Sequence, residues 1–279
     1  MIIALDHFVL LCPEIETATS EYEALLGIAP DWQSDSDGVA TSIFAVGNTA
    51  IELMAPSGTG ETAQKLRDMT ADGPKLTTLV YASDDLNGDH HVMTRRGLDP
   101  SDIADGDSAH RDTGATRTWQ RFRLPDEKMA GIKSFVLNRA EPLGPYPAAP
   151  GAATSLDHLV INTPNPERAV ATYGARLGLR FALDRTAEQW KTRFLFFRLG
   201  GLTLEVIHRL GEAHDPDDHD AIWGLTWETD DLAAARARLE SAGRNVSEIR
   251  TGRKPGSHVF TVRDGTQNVP TLFIAHTPR

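Results

Sequence analysis

One stretch of the chain occurs twice, first as Leu5–Gly27, LDHFVLLCPEIETATSEYEALLG, and again as Leu156–Gly178, LDHLVINTPNPERAVATYGARLG. Aspartate, histidine, tyrosine and the closing glycine recur in register. Each copy predicts a strand that carries Asp-His, a proline turn, an amphipathic helix and a glycine that ends the helix. An echo at so long an interval is typical of a repeated structural unit, and it constrains the fold more than any other feature.

Each copy opens a larger unit. Alternating strands separated by Gly-Asn or Gly-Gly turns follow the first helix in both halves. A second echo joins Asp84-Asp85-Leu86, with its glycine at Gly97, to Asp230-Asp231-Leu232, with Gly243 at the same spacing. The chain is therefore predicted to be an α+β protein of four βαβββ units, paired as two similar domains.

The domain boundary is predicted from composition. Residues 140–155, AEPLGPYPAAPGAATS, are rich in proline, alanine and glycine and cannot sustain a helix or the interior of a sheet. We interpret them as a linker between an N-terminal domain, residues 1–139, and a C-terminal domain, residues 156–279. A length of 279 residues also favours two domains.

Charge and cysteine content narrow the function classes. A formal net charge of −11 argues against nucleic acid or an anionic membrane as the main partner, since both reward clustered lysine and arginine. No apolar run approaches the roughly 20 residues of a membrane span. The single cysteine, Cys12, fits a reducing cytoplasm. We expect a cytoplasmic protein with a small-molecule ligand, and a homodimer is compatible with this plan.

The repeated motifs resemble those of the vicinal oxygen chelate superfamily. The resemblance rests on Leu-Asp-His at a strand start, the Asp-Asp-Leu helix opening, and the strands with Glu52 and Glu205. That superfamily includes glyoxalase I, extradiol dioxygenases, methylmalonyl-CoA epimerase and bleomycin-resistance proteins. The resemblance implies that the four units form two glyoxalase-like half-open barrels. Whether the units pair within a domain or exchange between domains or chains stays open.

The resemblance also implies a divalent metal on the concave face of a barrel. Its ligands come from the first and last strands of the units, where imidazole and carboxylate groups converge on the ion. By this likeness the metal candidates are His7 with Glu52 in one half and His158 with Glu205 in the other. We expect either one ion of Fe, Mn, Ni or Zn, or none.

The sequence departs from the full ligand set. The opening strands of the second and fourth units carry Thr78 and Gly224 where a histidine is expected. The closing strands offer Lys133 or Ser134 in one half and a place near Thr271 in the other. A metal-free site is the alternative, in which His158 and Glu205 shift each other's pKa and move a proton next to a carbonyl.

The C-terminal domain is the better candidate for the site. Glu205, in the mostly apolar strand LTLEVI, is costly to bury unless it is solvated or paired. We expect His158 and Glu205 to be catalytic, and the predicted substrate-binding residues are Arg198, Trp227 and His258. Residues 252–256, GRKPG, form either a mobile lid over this site or an ordinary turn.

Two functions remain from the sequence. One is a glyoxalase- or dioxygenase-like enzyme acting on a small oxygen-bearing organic molecule through a metal with an incomplete ligand set. The other is a non-catalytic binding protein of the bleomycin-resistance kind, which needs apolar walls and no metal. The residues alone do not decide whether the protein is an enzyme.

Overall fold

The computed structural model describes residues 1–139 and 148–276. Two eight-stranded mixed sheets, each curved and flanked by helices, make up these residues. The expected fold of four βαβββ units in two half-open barrels is confirmed. Each barrel is built from units that follow one another in the chain, so the question of unit pairing is answered in favour of neighbours.

The first sheet has the strand order β2-β3-β4-β1-β5-β8-β7-β6. Its strands are β1 (Ile2–Leu11), β2 (Trp32–Ser36), β3 (Val39–Val46), β4 (Thr49–Pro56), β5 (Lys75–Ser83), β6 (Ala104–Ala109), β7 (Thr116–Leu124) and β8 (Lys133–Arg139). The α-helices are α1 (Ile15–Leu26), α2 (Glu61–Met69) and α3 (Leu86–Arg95), with a 3₁₀ turn at Asp126–Lys128. The first strands of the two units, β1 and β5, pair antiparallel at the centre of the sheet.

The second sheet repeats this order as β10-β11-β12-β9-β13-β16-β15-β14. Its strands are β9 (Ser155–Asn162), β10 (Arg180–Ala187), β11 (Thr192–Leu199), β12 (Leu202–Arg209), β13 (Ala221–Glu228), β14 (Arg250–Thr251), β15 (Ser257–Val262) and β16 (Thr271–His276). Helix α4 (Pro166–Ala169) continues as a π-helix (Val170–Arg176), a 3₁₀ turn spans Glu188–Trp190, and α5 (Leu232–Ser241) follows β13.

The helix boundaries follow the chemistry of the predicted caps. Gly27 and Gly178 end their helices with φ of 72° and 79°, in the left-handed region that glycine adopts without strain. Asn165 accepts a hydrogen bond from the backbone N–H of Arg168 at 2.9 Å, so it is the N-cap that the sequence predicts. Pro166 then begins the helix, where its missing N–H costs nothing.

One apolar core joins the two halves. The helix-facing sides of both sheets contribute to it, and Phe8 meets Trp227 with ring centroids 6.2 Å apart. Asn48, in the first hairpin, donates to the Leu156 carbonyl and accepts from the Leu156 N–H, both at 2.9 Å. The two sheets are therefore fixed against each other by packing and by hydrogen bonds to the backbone.

Two segments depart from the sequence predictions. The sequence predicts no helix between the first and second units, but the structure has helix α2 there. Part of the predicted linker, residues 140–147, lies outside the described residues. The described remainder is packed against the protein, because Ala152 and Ala153 are buried and the Ala153 N–H donates to the Leu26 carbonyl. The domain boundaries themselves stay a prediction.

Candidate functional site

A cavity of about 1050 Å³ occupies the concave face of the second sheet. Side chains of its strands line the cavity because alternate residues of a strand point to the same face. Apolar and aromatic walls surround a small number of polar groups, which is the usual composition of a small-molecule site. The aromatic residues of the lining are Trp190, Phe194, Phe196 and Trp223.

His158 and Glu205 meet inside this cavity. They lie on the neighbouring parallel strands β9 and β12, where His158 is level with Thr203 and Glu205 with Val160. The His158 Nε2 lies 3.7 Å from the Glu205 carboxylate and 2.9 Å from the Thr226 hydroxyl. The two side chains that the sequence predicts as catalytic are thus adjacent, partly exposed and open to a ligand.

Asp157 fixes the orientation of the His158 ring. Its carboxylate lies 2.6 Å from the His158 Nδ1, and it also accepts hydrogen bonds from Lys254 Nζ at 2.6 and 2.8 Å and contacts His276 Nε2 at 3.0 Å. Burial opposes the charged carboxylate, but the hydrogen bonds from His158 and Lys254 outweigh it, so the pKa of Asp157 is lowered well below its usual range. An ionised carboxylate only accepts hydrogen bonds, so His158 carries a proton on Nδ1, while its Nε2 lies between the Thr226 hydroxyl and the Glu205 carboxylate.

The turn at residues 252–256 contacts the mouth of the cavity. Lys254 reaches Asp157, and the Arg253 guanidinium lies 4.1 Å from the centroid of the Trp190 ring. Arg253 and Trp190 come from opposite edges of the sheet, so this cation–π contact draws the two edges together. The predicted association of the turn with the C-terminal site therefore agrees with its position, and whether it moves as a lid stays a prediction.

The N-terminal half contains the same arrangement of side chains. His7 Nε2 lies 3.3 Å from the Glu52 carboxylate, and His7 Nδ1 lies 2.5 Å from the Asp6 carboxylate. Burial works against the imidazolium, but the hydrogen bonds to Asp6 and Glu52 prevail and raise the pKa of His7 to about 9. This half therefore holds a charged imidazolium between two carboxylates.

Helix α2 distinguishes the two halves. Its Leu66 packs with Met69 against Val9, Leu11 and Met54 on the concave face of the first sheet. In the second half the corresponding connection, residues 210–220, forms turns and no helix. The C-terminal face is therefore left open as a cavity, while the apolar side of helix α2 covers part of the N-terminal face.

The side chains present do not make up the metal site that the resemblance implies. The remaining ligand positions of the C-terminal half hold Gly224 and Thr271, and neither offers an imidazole or a carboxylate. Thr78 and Ser134 stand at those of the N-terminal half, each buried. Among the described residues, no three His, Cys, Asp or Glu side chains come close enough to hold an ion. Two strong donors in each half fall short of the three that catalytic metal sites use.

None of the three predicted substrate-binding residues is among the residues that line the cavity. Trp227 is fully buried in the core because β13 changes register next to it, which turns its ring away from the cavity. His258 is exposed on the other face of β15 from Val259, which does line the cavity. Arg198, near the end of β11, lies outside the lining and donates to the Thr203 hydroxyl at 2.6 Å.

Sequence reasoning missed the basic lining of the cavity. Its cations come from several separate strands and turns, namely Arg185, Arg209, Arg250, Arg253, Lys254 and Arg263. Three of them stand in residues 250–254 and the other three are scattered along the chain, so a search for basic runs does not find the set. Strand alternation was the signal that could have placed two of them. Arg185 lies opposite Phe194, and Arg250 lies opposite Val259, and residues opposite each other in a hairpin share one face of the sheet.

Comparison with known proteins agrees with the fold and with its repeat in two halves. The sequence profile of the glyoxalase/bleomycin resistance protein/dioxygenase superfamily matches residues 6–114 and 157–261, one copy in each half. The chain belongs to this superfamily. A curated relative, the ethylmalonyl-CoA/methylmalonyl-CoA epimerase of Cereibacter sphaeroides, is 29% identical over 97 residues, which cover 33% of this chain and 72% of the epimerase.

Solved structures of superfamily type share the fold over the whole chain. A variant of 4-hydroxymandelate synthase from Streptomyces coelicolor matches with a TM-score of 0.71 and 12% identity, covering 99% of this chain and 94% of the synthase. The Mn(II)-bound glyoxalase from Novosphingobium aromaticivorans matches with a TM-score of 0.64 and 13% identity, covering 98% and 82%. At these identities the likeness concerns the fold alone. No helix of the described residues is long and apolar enough to cross a membrane.

Proposed function

We propose that the protein is an acid–base enzyme that moves a proton on a small oxygen-bearing organic substrate in the C-terminal cavity. The observation that carries the proposal is the His158 imidazole, held at Nδ1 by Asp157 and lining the cavity with its Nε2 beside Glu205 and Thr226. A positioned imidazole with a carboxylate behind it is the arrangement that general-base catalysis requires.

The chemistry follows from these contacts. His158 Nε2 takes the proton from a carbon next to the substrate carbonyl, and the electron pair of the broken C–H bond moves into the carbonyl to form an enolate. Glu205 then lies close enough to stabilise the imidazolium, while Asp157 keeps the ring in place. The imidazolium then returns the proton on the same face to a second position of the substrate, which completes an isomerisation with all atoms accounted for.

Superfamily membership supports an enzyme, and the sequence match with an epimerase supports proton transfer as its chemistry. The curated relative with a sequence match is an epimerase by name, and the chemistry of an epimerase is the removal and return of a proton. The metal hypothesis from the sequence requires ligands that Gly224 and Thr271 do not supply. We therefore assign the proton transfer to the side chains that are present.

The test is exchange of a substrate C–H with solvent deuterium, followed by proton NMR for a panel of small carbonyl-containing acids. We expect exchange with the wild type and loss of it in His158→Asn and Glu205→Gln. His7→Asn is the matched control, because the same motif in the other half lies beside helix α2. Exchange that survives dialysis against a chelator supports the proposal. Exchange that the chelator abolishes and Mn²⁺ restores would contradict its metal-free part.

A sequestering protein is the second candidate, and the aromatic lining of the cavity favours it. Stacked Phe194 and Phe196, with ring centroids 6.1 Å apart, offer a flat apolar wall. This candidate predicts tight binding with no exchange, and with equal affinity in the wild type and in His158→Asn. The same NMR samples therefore separate it from the enzyme.

A further inference from the structure

The cavity is strongly basic although the whole chain is acidic. Its lining contains six cationic side chains, Arg185, Arg209, Arg250, Arg253, Lys254 and Arg263, and one carboxylate, Glu205. The chain as a whole has a formal net charge of −11. Like charges gathered around one cavity repel each other, and an anionic ligand relieves that repulsion.

These cations stand on two opposite walls. Arg185 and Arg209 belong to β10 and β12, on the side of the sheet that begins at its β10 edge. Arg250 lies on β14, the opposite edge strand, and Arg263 follows β15 beside it. His158, on β9, lies between the two walls in the strand order.

The two edge arginines, Arg185 and Arg250, differ in their ion pairing from the arginine on the strand next to β10. Among the residues that the structure describes, Arg185 and Arg250 make no ion pair within 4.0 Å, whereas Arg193, on the neighbouring strand, is paired with Asp184 and Glu167. Arg185 lies opposite Phe194, and Arg250 lies opposite Val259, so both side chains project to the cavity face. Each wall thus holds an unpaired guanidinium directed at the ligand space.

We propose that the substrate is a dianion whose two anionic groups bind to opposite walls, one near Arg185 and Arg209 and the other near Arg250 and Arg263. This inference rests on the proposed function, and it defines the substrate class for that site. A guanidinium binds carboxylate and phosphate oxygens alike. The reacting carbon lies between the two anionic groups, which places it over His158.

A substrate with one anionic group fits this cavity less well. It would neutralise one wall and leave the cations of the other wall facing each other across an apolar space. A dianion engages both walls, and the second contact adds to the first without a second loss of translational freedom. The apolar part between the charges packs against the aromatic lining.

The test uses simple anions as probes and measures binding by calorimetry and by tryptophan fluorescence, since Trp190 and Trp223 line the cavity. The probes are linear dicarboxylates from malonate to adipate, their monocarboxylate counterparts, inorganic phosphate and pyrophosphate. We expect one dicarboxylate or pyrophosphate to bind at least tenfold more tightly than its less charged counterpart. A preference for the dicarboxylates identifies a carboxylate substrate, and a preference for pyrophosphate identifies a phosphorylated one.

Substitutions on each wall complete the test. Arg185→Gln and Arg250→Gln should each weaken the dianion about tenfold and bring its affinity close to that of the monoanion. Arg198→Gln is the matched control, because this arginine lies on the same sheet outside the cavity lining. Equal affinity for mono- and dianions, or equal losses in all three variants, would overturn the proposal. His158→Asn should keep the binding, so bound dianion without proton exchange in the wild type refutes the proposed function alone.

Discussion

The charged imidazole of His7, in the N-terminal half, should make the protein less stable at alkaline pH. His7 has an ordinary pKa near 6.5, and its contacts with Asp6 and Glu52 raise it to about 9 despite burial. A tenfold change in proton affinity corresponds to about 1.36 kcal/mol, so the charged form contributes about 3 kcal/mol to the free energy of unfolding. Its side chain is only 16% exposed, and solvent screening therefore removes little of this contribution.

The sign follows from proton uptake by the two states. The folded protein keeps the His7 proton up to a higher pH than the unfolded chain does. The stabilisation is therefore complete below pH 6.5 and disappears as the pH rises through about 9. In His7→Gln this dependence should be absent, so the difference in unfolding free energy between wild type and variant should shrink by about 3 kcal/mol from pH 6 to pH 10.

Urea unfolding followed by circular dichroism across this pH range measures the difference. NMR titration of the His7 ring in the wild type gives the pKa independently, even if the variant folds poorly. Glu52→Gln removes one hydrogen-bond partner and should move the loss of stability to lower pH. Parallel pH profiles of wild type and His7→Gln, or a His7 pKa near 6.5 by NMR, would refute the reasoning.

Three further predictions test other parts of the molecule. Asp157→Asn should lower the rate of deuterium exchange about a hundredfold or more and alter its pH profile, because His158 loses its orienting carboxylate; an unchanged rate contradicts this role. Trp227→Ala should cost about 3–5 kcal/mol in urea unfolding, since the ring is fully buried, whereas Trp223→Ala should cost under about 1 kcal/mol; equal costs contradict the assigned positions. Gly151→Ala should destabilise by more than about 2 kcal/mol, because its Cβ would collide with the backbone nitrogen of Ala235 in α5. Gly97→Ala, with a similar φ and open space, should cost only about 1 kcal/mol, and equal losses would refute the steric argument.

The repeat made the architecture predictable from the sequence. The ends of the helices were predictable because they depend on residues that are near in sequence. Examples are Gly27, which ends α1 with a φ of 72°, and the Asn165-Pro166 cap. Helix α2 was missed since it is a single amphipathic insertion with no counterpart in the other half. Its effect on the N-terminal site, which is to cover part of the concave face, comes from packing against β1, more than 50 residues earlier in the chain.

The placement of His158 beside Glu205 was also predictable. In the fold that the resemblance implies, the first and last strands of a unit are neighbours in the sheet, as β9 and β12 are. The His-Glu pair also recurs at the same positions in both halves, which indicates that its side chains lie on the same face of the sheet. The same reasoning failed for Trp227, which comes four residues after the cavity-lining Trp223. Strict alternation would put them on one face, but register shifts in the pairing of β13 with β9 reverse the direction between them. A one-residue register shift depends on how β13 pairs with β9, so the sequence of β13 alone does not predict it.

The sequence by itself determined the four repeated units, since these follow from local periodicity and from the repeat, and the resemblance to the superfamily pointed to the two His-Glu pairs. Only the tertiary structure decided which pair faces an open cavity and which charges surround it. Helix α2 covers the face near His7, while the cavity by His158 gathers arginines from strands that are far apart in the chain. Electrostatic interactions depend on distances between charges in space, and those distances are set only when the chain has folded and the sheet has curved.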